Sequence, residues 1–142
     1  NEFINYLALK KINYVFLTNC PKHSPDEISE KLKVLGIKSS PDNIFTSGII
    51  SAYIIRNNFK IKSAYVVGSR LLKNEVRKQK IRITNNFPDA VLVGYDDKIT
   101  YSKLCLATKM IISGSKMFAT NIDNVIPFEN YLIILANLVH QS

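Results

Sequence analysis

Two five-residue apolar stretches, Ala64-Tyr65-Val66-Val67-Gly68 and Ala90-Val91-Leu92-Val93-Gly94, each close on glycine and each precede a segment with helical spacing. Unbroken runs of β-favouring residues read as strands covered on both faces, which is the situation inside a parallel sheet. Parallel neighbours need a crossover between them, and the segments over 70–80 and 100–113 are long enough to supply it as helices. A further strand, Lys116 to Asn121, follows Gly114 and continues the alternation. Residues 63–121 are thereby constrained to a small α/β module with right-handed crossovers.

The first part of the chain follows the same logic. Tyr14, Val15, Phe16 and Leu17 run without alternation into Thr18 and Asn19, which predicts a strand buried on both faces and surfacing at a polar end. In open α/β sheets the carboxyl edge is where ligands bind, so this hydroxyl and amide are candidate donors to an anion. The plainer reading is that Thr18 and Asn19 close the strand and start a turn. Ahead of it, Phe3, Ile4 and Leu7 place a helical face over Glu2–Lys11. After it, Ser24-Pro25-Asp26-Glu27 carries an N-cap, a proline at N1 and a glutamate at N3, opening a helix that runs to a stop at Gly36. A short strand or turn at 43–47 and a helix over Ser47–Asn57 come next, and a domain boundary is expected near 57–63. From Phe128 to His140, Tyr131, Leu132, Leu135, Leu138 and Val139 keep helical spacing.

With 142 residues, 46% of them hydrophobic, the chain has material for a packed core rather than a disordered one. No apolar run approaches the ~20 residues of a membrane span, and the first residues form no basic region before an apolar stretch, so a cytoplasmic protein away from membranes is expected. Cys20 and Cys105 have no CxxC partner and read as free thiols, and no His/Asp/Glu grouping has metal-ligand spacing. The net charge of +8 resides between Arg56 and Arg82, where nine basic residues face the single acid Glu75. Such a segment attracts a phosphorylated substrate or nucleic acid, or is simply a solvated helix face. Two further arrangements carry candidate chemistry. Cys20 with His23 would make a thiolate and its base, and Asp96-Asp97 would make paired carboxylates, although after Gly94-Tyr95 a turn and N-cap fit them better.

The order of these segments resembles the haloacid dehalogenase-like phosphatases, in the nitrophenylphosphatase-like (NagD-like) branch. Four stretches carry the resemblance: Val15–Asn19 with Ser24–Glu27; Ile44–Gly48; Tyr65–Gly68; and Val93–Asp96 through Thr100–Leu104 to Phe118–Asp123. The resemblance implies part of a Rossmann-like core over 1–60, an inserted α/β cap over 61–127, and a return helix to the core over 128–142. It implies a phosphoric monoester hydrolase acting through an aspartyl-phosphate with Mg²⁺ on a small phosphorylated substrate. By resemblance Thr18 hydrogen-bonds the transferring phosphoryl group with Asn19 beside it, Asn121 and Asp123 offer cap contacts, and the cap mediates a homodimer. The family's Asp-x-Asp segment, phosphate-binding lysine and late acidic pair have no counterpart in these residues. The expectation is therefore a piece of a longer phosphatase, inactive alone, without catalytic or metal-binding residues of its own. The competing expectation is a non-catalytic interaction module or a basic nucleic-acid binder.

Overall fold

The computed structural model describes residues 2–121 and the backbone of 125–128 and 131–134. The chain opens with helix α1 (Glu2–Leu9), strand β1 (Phe16–Thr18) and helix α2 (Pro25–Val34). The α2 capping box forms as its sequence requires: Ser24 Oγ accepts from the Glu27 N–H at 3.3 Å, and Glu27 Oε2 accepts from the Ser24 N–H at 2.7 Å. At its other end Gly36 takes φ +71°, and the Gly36 and Ile37 N–H groups donate to the Lys33 and Leu32 carbonyls. That is the left-handed stop for which glycine is suited.

A 3₁₀ turn at Pro41–Asn43 leads into β2 (Ile44–Thr46), which pairs parallel with β1, Phe16 opposite Ile44 and Thr18 opposite Thr46. Helix α3 (Ser47–Asn57) follows directly. The second sheet is built from β3 (Ser63–Val67), β4 (Arg82–Ile83), β5 (Ala90–Val93) and β6 (Lys116–Ala119), all parallel in the order β4-β3-β5-β6. Its crossovers are α4 (Arg70–Lys78) and α5 (Tyr101–Ile112). One face packs Ala64, Val66, Ala90 and Leu92 against Leu72 and Val76 of α4 and Ala52 and Ile55 of α3. The other packs Val67 and Val91 against Ala107 and Met110 of α5. Helix α3 thus joins the cluster of the sheet that follows it. No helix among the described residues is long and apolar enough to cross a membrane.

The structure departs from the sequence reading at four points. Strand β1 is not buried on both faces: Leu17 is 69% exposed, because among the described residues β1 pairs with β2 alone and nothing covers that side. Likewise α1 buries none of its residues, and Phe3 and Leu9 stand open. Strand β4 went unrecognised because the polar neighbours of Arg82–Ile83 mask a two-residue pairing with Ser63 and Ala64. Finally, the helix expected from Phe128 is absent over the described residues, where Val125–Phe128 (β7) and Tyr131–Ile134 (β8) pair antiparallel. Runs of aromatic and β-branched residues fit a pleated ladder, and a neighbouring partner decides in its favour. Residues 135–142 of that expected helix lie outside the described residues.

Candidate functional site

The carboxyl ends of the two parallel sheets open onto one cleft. One wall comes from Cys20, Pro21 and His23 after β1 and from Thr46–Ile49 at the β2–α3 junction. The opposite wall comes from Ser69 and Leu72 at the start of α4, Glu75 one turn on, Tyr95 after β5 and Thr120 after β6. This is the crevice in which open parallel sheets hold ligands.

Three helices begin here. Ser24, Thr46 and Ser69 are the N-caps of α2, α3 and α4, and their hydroxyls accept from the N–H groups of Glu27, Ile49 and Leu72, each at 3.3 Å. The convergence brings the positive ends of three helix dipoles to one place, an arrangement suited to an anion. Charged side chains temper it. Glu75 is neutralised by Lys78 at 2.8 Å, and His23 Nε2 meets Lys31 Nζ at 2.5 Å while its Nδ1 lies 3.7 Å from Glu27.

Thr18 ends β1 half-buried, and its Oγ1 accepts from the Cys20 N–H at 3.0 Å; Asn19 is exposed beside it. Both stand immediately before the lining residue Cys20. Thr120 lines the cleft and donates to the Asn121 side-chain oxygen at 3.2 Å, whereas Asp123 lies outside the described residues. Cys20 and His23 share the cleft, but the His23 ring is hydrogen-bonded to Lys31 and lies 3.7 Å from Glu27 rather than being bonded to Cys20. Asp96 and Asp97 are not a facing pair: Asp96 closes a turn on Lys98 and meets Lys103, and Asp97 is exposed. The basic segment is spread over the outer side of α4 and the β4 edge, with Lys78 and Arg77 engaged by Glu75 and Asn74. Thr46, Ser69, Tyr95 and Thr120 were missed as site residues. Each sits at or just past the carboxyl end of a parallel strand, so the rule that singled out Thr18 would have found them had it been applied to every strand.

A family model described as haloacid dehalogenase-like hydrolase matches residues 1–82. The chain belongs to the haloacid dehalogenase-like hydrolases. Within them it falls in the NagD-like, nitrophenylphosphatase-like branch. It is 33% identical over 129 residues to an acid sugar phosphatase of Staphylococcus epidermidis, covering 90% of this chain and 50% of that protein. A variant of the thermostable p-nitrophenylphosphatase from Bacillus stearothermophilus superposes with a TM-score of 0.87 at 30% identity over 94% of this chain and 52% of the other. NagD from E. coli gives 0.81 at 28% identity over 87% and 49%. A glycerol phosphate phosphatase of Mycobacterium tuberculosis, solved in complex with magnesium, gives 0.80 at 27% identity over 92% and 41%. The chain therefore spans about half the length of the relatives it matches. Such neighbours suggest a divalent metal, yet among the described residues no group of three His, Cys, Asp or Glu side chains could hold one. These described residues do not fit a metal site.

Proposed function

We propose that this chain forms the phosphate-monoester-binding half of a haloacid dehalogenase-like phosphatase, with residues 1–60 contributing to the core and 61–127 forming the cap. The observation that carries the reading is the meeting of two parallel-sheet carboxyl edges and three helix N-termini on one cleft. Thr18 Oγ1 accepts from Cys20 and keeps its own proton to donate to a phosphoryl oxygen, with Asn19 alongside. The hydroxyls of Ser69 and Thr120 and the ring of Tyr95 face the organic part, which suits the phosphate ester of a sugar or small polyol. The names of the acid sugar and glycerol phosphate phosphatases support that substrate class.

The nucleophilic aspartate and the ligands for Mg²⁺ come, in this reading, from polypeptide other than these residues. No aspartate precedes Thr18, and among the described residues β1 pairs with β2 alone, leaving an edge with Val15 and Leu17 exposed beside it where a strand bearing the nucleophile can dock. The chain alone is then inactive, and its cap pairs with a second copy in the assembled enzyme. The test is an NMR titration of this chain with inorganic phosphate and glucose 6-phosphate, using chloride as control. Thr18→Val is expected to weaken both phosphates about 10-fold or more, the loss of one charge-assisted hydrogen bond. Unchanged affinity in the variant, or hydrolysis of 4-nitrophenyl phosphate by the pure chain with Mg²⁺, refutes it.

A further inference from the structure

Strand β5 runs out at Val93 into a turn held by a carboxylate whose side chain is only 4% exposed. Asp96 Oδ1 accepts from the Lys98 N–H at 3.0 Å, and Oδ2 accepts from Lys103 Nζ at 2.7 Å. Lys103, in the first turn of α5, donates as well to the Lys98 carbonyl at 2.7 Å. Burial by itself raises the Asp96 pKa, but the hydrogen bonds from Lys103 and Lys98 and the charges of Lys103 and Lys73 outweigh it and hold the carboxyl below its usual range. These bonds to Asp96 and from Lys103 lock the turn between β5 and α5.

That turn carries Tyr95. Its carbonyl accepts from the Ser69 N–H at 2.7 Å, which ties the turn to the N-cap of α4. Its ring lies on the cleft wall, and Lys22 Nζ, from the loop after β1, stands 5.4 Å from the ring centroid. Tyr95 supplies the one phenol ring among the described cleft residues, reaching from the second sheet towards the loop of the first. Neither Asp96 nor Lys103 lines the cleft, so anything they do there is transmitted through the turn.

We propose that Asp96 and Lys103 are positioning residues that hold the Tyr95 ring where it meets the organic part of a phosphate monoester, so that the pair sets selectivity for the ester over free phosphate. The inference rests on the phosphate-monoester reading above. Inorganic phosphate has no organic part to meet the ring, so it serves as the internal reference.

The experiment titrates the full 142-residue chain with inorganic phosphate and with glucose 6-phosphate by NMR, checking each variant's fold by circular dichroism. Lys103→Met is expected to weaken glucose 6-phosphate about tenfold and leave inorganic phosphate within about twofold, and Lys103→Arg to restore the ester. Tyr95→Ala is expected to lose the ester to the same degree, and adding Lys103→Met to it should cost nothing more, because both act through one ring. Should Lys103→Met fail to fold, Asp96→Asn is read in its place. Equal losses for both ligands, no loss for either, or additive losses in the double variant overturn the positioning role alone. If the parent chain binds neither ligand, the phosphate-monoester reading falls and this inference with it.

Discussion

Adding a single methyl group at Gly94 tests how the second sheet is joined to the helices above it. A Cβ built on Gly94 stands 2.7 Å from Leu72 Cδ2, 3.1 Å from Thr120 Oγ1 and 3.2 Å from Thr120 Cγ2. Leu72 is itself 6% exposed and fills a socket walled by three glycines, since a Cβ on Gly68 would meet it at 2.6 Å and one on Gly48 at 3.3 Å. Overpacking of this kind costs about 1–3 kcal/mol. Against it, alanine restricts the unfolded chain relative to glycine and returns about 0.4–1 kcal/mol, so Gly94→Ala is expected to destabilise by a net ~1–2 kcal/mol. Leu72→Ala alone should cost about 2–5 kcal/mol through the cavity it leaves. In the double variant the added methyl occupies space that Leu72 vacated, and the Gly94→Ala penalty should shrink by at least about 1 kcal/mol. Urea unfolding followed at 222 nm, with the slope held constant across the four proteins, measures the cycle. Additivity within about 0.5 kcal/mol would refute the socket as the reason for glycine at this position.

Other consequences are simpler to check. Ser24→Ala removes one half of the α2 capping box and is expected to cost about 1 kcal/mol, visible as faster amide exchange in the first turn of α2. At the far end of the second sheet, Asp89 Oδ2 accepts from the Lys62 and Ser63 N–H groups at 2.9 and 2.8 Å, and these two bonds hold its carboxyl below the ordinary aspartate value. A depressed carboxyl pKa contributes stability that is complete above about pH 4 and is lost as the pH falls through the folded value. Asp89→Asn should therefore lower stability at pH 7 and flatten its dependence on pH below 4; an unchanged slope would show that Asp89 contributes nothing to it.

Much of the second sheet was legible because local chemistry and global position agree there. Apolar runs ending at Gly68 and Gly94, helices opening on Ser69 and Thr100, and a strand after Gly114 admit one economical arrangement, and the observed β4-β3-β5-β6 sheet is that arrangement with a small strand added. The α2 boundaries were readable to the residue at Ser24 and Gly36 because capping groups act within a single turn. Burial was less readable. Leu17 is as apolar as Leu92, yet one is 69% exposed and the other fully buried, since burial depends on which layers come to lie over a strand. Helix against strand after Val125 was likewise settled by the neighbouring partner. Local residue chemistry was enough to set the α/β class, the crossovers, the helix caps and the polar strand end at Thr18. Tertiary structure alone decided that Cys20, Ser69, Tyr95 and Thr120, up to a hundred residues apart, share one cleft. Hydrogen bonds and caps act over a few residues and leave a local signature, whereas the facing of two sheets is set by packing between segments distant in the chain.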